Sequence, residues 1–286
     1  MRRLFVLIVS LLLVGFLVAC GEDDSAGAGE NGNDNGDDTG QETSQDTEQE
    51  TTVTTVEEGK LLFGSSGLYK PFNFEDLDGN ETGFEVDLGI ALAEEMGLEP
   101  EPVFTQDFGA LIEEVNAGRI DVIMGSLTIT EERAEAVDFS RHYYTSGPLF
   151  YVHEDTNDIE TWDDLDGKMV GVISDSVYEE EVLQHIPEEN LATYQSDTVA
   201  LQDLAAGTGR LDMVLTDKIV GLVQIDENDL NIKAVGDFIF EEKIGAAVKK
   251  DNEEMLNEIN RALDAIIDNG TYAEISEKWF GENILD

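Results

Sequence analysis

Ala110-Leu111-Ile112-Glu113-Glu114-Val115-Asn116-Ala117-Gly118-Arg119-Ile120-Asp121-Val122-Ile123-Met124 returns in outline as Ala200-Leu201-Gln202-Asp203-Leu204-Ala205-Ala206-Gly207-Thr208-Gly209-Arg210-Leu211-Asp212-Met213-Val214-Leu215. Each stretch reads as a helix, a glycine stop, an Arg-apolar-Asp step and an apolar strand. Two copies of one βα unit at this separation predict two α/β lobes instead of one closed barrel. Open α/β sheets bind ligands beyond the carboxyl ends of their strands. Those ends are Ser126-Leu127-Thr128 in the first copy and Thr216-Asp217 in the second. If the lobes face each other, these polar residues line one cleft.

The flanking pattern keeps the same alternation. Lys60–Gly64 reads as a short buried strand, and Phe84–Gly97 as an amphipathic helix closed by glycine. Val103-Phe104 is expected to start the next strand, and Gly167–Ile173 is a turn entering another. Asp251 followed by Glu254 fits a helix N-terminus with an acid at its third position. Leu256, Ile259, Leu263 and Ile266 keep helical spacing until Asn269-Gly270, and a last short helix carries Trp279 and Phe280 as core anchors.

The chain has 286 residues, of which 64 are acidic and 16 basic, for a formal net charge of -48. Such a polyanion cannot bind nucleic acid by neutralising phosphates, nor anionic lipid through a basic patch. Cys20 is the single cysteine, which excludes an intrachain disulfide, a CxxC redox pair and a thiolate zinc cluster. His142, His153 and His185 share no ligand-like spacing, so no metal site is expected. No GxxxxGK[ST] or GxSxG occurs, and Gly207-Thr208-Gly209 lacks the third glycine of a dinucleotide fingerprint. No cofactor is expected either.

Arg2 and Arg3 precede an apolar run, Leu4–Val14, and then Gly15-Phe16-Leu17-Val18-Ala19-Cys20. This order describes a secretory signal. A membrane anchor is the competing reading, but 16 residues from Leu4 to Ala19 fall just short of the usual span. Residues 21–59 hold 13 acidic side chains, no basic one and almost nothing to bury, so this stretch is expected to be a disordered tether. Setting aside those acids and Arg2 and Arg3 leaves 51 acids against 14 bases. The folded part is therefore itself strongly acidic, and a saline, halophilic setting in which ions screen the self-repulsion is the reading this favours.

Seven motifs in order carry a resemblance. They are Tyr69-Lys70-Pro71-Phe72-Asn73-Phe74, Gly83–Leu88, Gly125–Arg133, Val137-Asp138-Phe139-Ser140 with Tyr143-Tyr144, Asp164–Lys168, Asn269-Gly270-Thr271-Tyr272, and Lys278-Trp279-Phe280. From about Lys60 to Gly281 the chain resembles the polar amino-acid-binding solute receptors of ABC importers, extracellular solute-binding protein family 3. Leu17-Val18-Ala19-Cys20 is similar to a bacterial lipobox, which implies lipidation of Cys20. The resemblance implies a type II periplasmic-binding-protein-like fold, α/β with two lobes joined by two strand crossovers near Thr145–Leu149 and Glu241–Gly245. The implied organisation is a signal over 1–19, a lipidated cysteine and tether over 20–59, and the first lobe over 60–146. The second lobe then covers 147–243, with a return to the first over 244–286. The implied partners are an amino acid and a membrane permease, with the chain acting as a monomer on the outer face of the membrane.

An amino acid brings a carboxylate and an ammonium, and neither can be buried cheaply without a partner. Arg133 matches the family's carboxylate clamp, although from its position alone a surface salt bridge with Glu132 or Glu135 is the favoured reading. Asp217 matches the aspartate that meets the ammonium, and it also suits a helix N-cap before Lys218. Ser126 and Thr128 match contacts to the amino-acid head, and Ser176 with Val177 a backbone turn at the carboxylate; Thr216 is a ligand-binding candidate as the polar strand end beside Asp217. Asp175 in that turn departs from the family pattern. Tyr69 and Phe108 match aromatic walls for the ligand side chain. Ser66 stands where many relatives that take glutamine or basic amino acids carry aspartate, which weakly disfavours lysine and arginine, while Glu85 offers an anion nearby. The competing classes are an enzyme on the same fold, a cyclohexadienyl dehydratase-like protein with Glu85 as its acid–base group, and a sensory module.

Overall fold

The computed structural model describes residues 53–285. The secretory signal, the Cys20 lipobox and most of the acidic tether lie outside the described residues.

The chain opens with β1 (Lys60–Ser65), β2 (Leu68–Tyr69), β3 (Asn73–Glu75) and β4 (Glu81–Thr82). It continues through α1 (Phe84–Glu95), β5 (Glu99–Phe104), α2 (Leu111–Asn116), β6 (Val122–Ile123), α3 (Glu131–Ala136) and β7 (Val137–Ser146). The second lobe follows with β8 (Pro148–His153), β9 (Val170–Ile173), α4 (Val177–Val182), β10 (Leu191–Tyr194), α5 (Asp197–Ala205), β11 (Met213–Asp217), α6 (Lys218–Asn228) and β12 (Ile232–Val235). The chain then returns with β13 (Glu242–Lys249), α7 (Glu253–Asp268) and α8 (Thr271–Phe280).

Two five-stranded sheets result, in the orders β5-β1-β6-β13-β7 and β10-β9-β11-β8-β12. The repeated unit occupies the same place in each: β6 lies beside β1, and β11 lies beside β9, both in parallel. Each sheet buries apolar side chains on both faces, as a sheet flanked by crossover helices must. In the first lobe one face packs Phe63, Leu88 and Leu92 against Ile259 and Leu263 of α7. Phe72 lies stacked on Tyr144 and tilted against Phe280 in the same core.

Three elements differ from the sequence reading. β5 begins at Glu99, before Val103, and carries Pro100 and Pro102. Two prolines are tolerated because β5 is an edge strand, where a missing N–H need not break a ladder. The cap of α7 is Asn252, whose side chain accepts from the Met255 N–H, while Asp251 takes a left-handed conformation just ahead of it. The helix α5 starts at Asp197, ahead of the repeated stretch that opens at Ala200.

The chain crosses between the sheets at Gly147 and again through 236–241. The strands entering and leaving the first sheet run side by side, with Ser146 opposite Glu242. A Cβ on Gly147 would sit 2.3 Å from the Phe240 carbonyl oxygen, so only glycine lets the two crossings touch. Gly147→Ala is therefore expected to destabilise the protein by about 1–3 kcal/mol, the usual cost of overpacking. Denaturant unfolding reads this as a lower midpoint, and an unchanged midpoint would contradict the close approach.

Candidate functional site

The site begins beneath its own floor. Glu85, in the first turn of α1, is completely buried and accepts from Asn73 Nδ2 at 2.6 Å, from the Tyr143 hydroxyl and from the Ser126 backbone N–H at 2.6 Å. Asn73 Oδ1 in turn accepts from the Gly67 N–H and the Ser66 hydroxyl. Burial pushes the Glu85 carboxyl up from its ordinary pKa, against the pull of these donors. This network holds Ser126, a non-glycine residue at φ 55°, in the left-handed region. Glu85 thus shapes the strand end from below and is not among the residues that line the cavity.

Just past that end, Thr130 caps α3 by accepting from the Arg133 N–H. The arginine side chain turns inward to the cavity. Its Nη1 donates to the Thr128 carbonyl and its Nη2 to the Asp175 carbonyl of the other lobe, each at 3.2 Å. The guanidinium also lies 5.6 Å from the centre of the Phe108 ring.

The second lobe answers with two helix starts. Ser176 caps α4, accepting from the Glu179 N–H and donating to the Ile173 carbonyl at 2.7 Å. Asp217 ends β11 and caps α6, with Oδ1 accepting from Ile219 and Val220. It is 2 % exposed, and burial pushes its pKa up to about 6 against the pull of Ser146 and the two backbone donors.

Between these elements lies a cleft with about 570 Å³ of space free of atoms, part of it open to solvent. Nine of the sequence-predicted residues line it: Ser66, Tyr69, Phe108, Ser126, Thr128, Arg133, Ser176, Val177 and Asp217. Thr216 does not. It is fully buried behind the wall, where its hydroxyl donates to Asp197. The lobes are closed on the cavity. Lys70 of the first lobe pairs with Glu227 of α6 at 2.5 Å, and Val220 of α6 packs into the first lobe's core.

Two lining acids escape the sequence reading. Glu242 opens β13 and is 3 % exposed; Thr128 Oγ1 donates to it from the first lobe at 2.8 Å, and the Tyr178 hydroxyl from the second at 2.5 Å. Asp197 opens α5 and is also 3 % exposed. Locally, Glu241-Glu242-Lys243 reads as a solvated charge run and Ser196-Asp197-Thr198 as a helix start, so neither segment carries a signal of its own. Only the tertiary position of the crossover and of α5 brings them inward.

Residues 61–282 match the bacterial extracellular solute-binding proteins, family 3. The chain belongs to that family. Among similar proteins, the L-cystine-binding protein TcyJ of Escherichia coli K12 is 35% identical over 229 residues, covering 80% of this chain and 85% of its own. The L-arginine-binding protein of Pseudomonas aeruginosa is 33% identical over 234 residues, covering 77% and 88%. Among solved structures, an ancestral arginine-binding protein bound to glutamine superposes with a TM-score of 0.74 at 37% identity, over 79% of this chain and all of the other. The ancestral amino acid-binding protein AncCDT-1, a precursor of cyclohexadienyl dehydratase, gives 0.71 at 33%, over 78% and 96%. The fold is the two-lobed type II arrangement of periplasmic binding proteins, and membership in an extracellular family places the protein outside the cytoplasm. Among the described residues no helix is long and apolar enough to cross a membrane.

Burial pushes Glu242 and Asp197 each up to about 7. Glu242 faces Tyr178 of α4, Asp217 at the end of β11, and Arg133 and Thr128 of the first lobe. Asp197 faces Thr216 and Asp217, with Tyr69 of β2 nearby. A carboxyl raised by folding binds protons more tightly in the folded state than in the unfolded chain. Its stabilising contribution is complete below the unfolded pKa near 4 and is lost as pH rises through about 7. Without ligand, the unfolding midpoint is expected to fall between pH 5 and pH 8, and Glu242→Gln to flatten that slope. Parallel slopes in the two proteins would contradict the buried protonation.

Proposed function

We propose that the protein is the substrate-binding component of an ABC importer and captures an amino acid in the closed cleft. One observation carries the reading: a guanidinium from the first lobe and a carboxylate from the second line a single cavity. Arg133 grips the ligand carboxylate with parallel hydrogen bonds, and Asp217 takes the ammonium. Thr128 and Ser126 add polar contacts at the first strand end, and Ser176 with Val177 at the α4 turn. Tyr69 and Phe108 wall the ligand side chain. Both charges are met only when the lobes are shut, so the ligand shifts the population toward the closed form. Glu85, the acid–base group of the dehydratase reading, is engaged beneath the floor by scaffold donors and does not line the cavity, which supports binding over that catalysis. The dipeptide Ala19-Cys20 fits processing at a lipobox, leaving the chain anchored by a lipidated Cys20 on an acidic tether. The receptor then works as a monomer beside its permease, and the excess of acids fits saline surroundings.

Arg133→Ala and Asp217→Ala are each expected to weaken amino-acid binding at least a hundredfold by calorimetry, the order expected for leaving a buried charge unpaired. Circular dichroism should remain that of the folded protein. Affinity within threefold of the parent in either variant would refute the clamp. Cys20→Ser should release the protein from the membrane fraction, and continued retention would refute the lipid anchor.

A further inference from the structure

The charges around the cavity do not balance for a simple zwitterion. Its lining contains one cationic side chain, Arg133, against three carboxyl groups, Asp197, Asp217 and Glu242. All three are at least nine-tenths buried. On the reading above, the amino-acid head consumes Arg133 and Asp217. Two acids remain, both buried at the cavity wall, and each is left without a partner charge as soon as it gives up its proton.

We propose that the ligand is an amino acid whose side chain carries a second positive charge, and that Asp197 and Glu242 determine this specificity. The inference rests on the receptor reading and adds the class of its ligand. The two acids are held differently. Glu242 has each oxygen engaged by a hydroxyl, Thr128 from one lobe and Tyr178 from the other, so its field is fixed beside the head group as the lobes close. Asp197 accepts from the Thr216 hydroxyl through Oδ1 and takes no donor from the first lobe's strand end. Its helix packs against β2, which carries Tyr69. An ammonium or guanidinium reaching that corner meets a carboxylate oxygen and an aromatic ring, a pairing suited to an organic cation. Ser66 leaves the first-lobe side of this corner uncharged, so the counter-charge comes from the second lobe.

Other ligand classes fit less well. A neutral amide side chain gives neither spare acid a counter-charge, so both must stay protonated. An acidic side chain adds a third uncompensated group. A disulfide-linked double amino acid brings a second carboxylate, and the lining holds no second cation to receive it.

Calorimetry of the full chain at pH 7.5 with lysine, arginine, glutamine, glutamate and cystine tests the proposal. Lysine or arginine should bind about thirtyfold or more tighter than glutamine, the order that one charge-assisted hydrogen bond supplies. Glutamate and cystine should bind no better than glutamine. Asp197→Asn should reduce the lysine-to-glutamine ratio about tenfold, and Glu242→Gln should reduce it in the same direction. The parent's ligand ranking needs no variant and stands if either substitution prevents folding. Glutamine, glutamate or cystine binding as tightly as lysine and arginine would overturn the proposal, as would a ratio untouched by both substitutions. Binding of none of the five overturns the receptor reading itself, a result distinct from a wrong ranking.

Discussion

A charge moved out of water must find an opposite charge or a set of donors, and this protein keeps its answers on two separate bodies. Arg133 stands on the first lobe, and Asp217 on the second, each at the start of a short helix just beyond a strand end. On the proposed clamp, neither lobe alone neutralises a zwitterion. On that proposal closure and recognition are one event, and the structure brings those two groups to a common space. The paired crossings at Gly147 and 236–241 keep the hinge compact. The Ser66–Asn73–Glu85–Ser126 network holds the floor rigid from below. Lys70 with Glu227, and the Arg133 contact to the Asp175 carbonyl, join the lobes at the rim.

Much of this was legible in the sequence, for a physical reason. The repeated helix-glycine-strand unit is a local pattern, and its periodicity alone yields two α/β lobes with polar strand ends at Ser126–Thr128 and Asp217. The caps by Thr130, Ser176 and Asp217 are short-range bonds, so they too can be read from a few consecutive residues. The place of Arg133 in the cleft was not legible from its neighbours. Glu132 and Glu135 offer it an ordinary surface partner, and only the family likeness favoured the cleft.

What escaped the sequence depends on contacts between distant segments. Glu242 meets Thr128 across 114 positions and Tyr178 across 64. No local pattern reports such pairing, so the residue reads as one acid in a solvated run. Asp197 is hidden the same way behind its place in a helix start. Thr216 shows the reverse: adjacent to Asp217 and polar, it reads as a lining residue. Strand alternation turns it away to support Asp197 instead. Glu85 likewise reads as a free anion near the cleft, yet every donor around it comes from the scaffold. Burial raises the pKa of Asp197, Asp217 and Glu242 at the cleft.

The central claim is that the two ends of one amino acid are held by opposite lobes. A crystal structure with an amino acid bound tests it most directly. The account predicts the ligand carboxylate within about 3.2 Å of the Arg133 guanidinium and its ammonium within the same reach of the Asp217 carboxylate. A ligand held wholly by one lobe, or with its ends reversed, would contradict it.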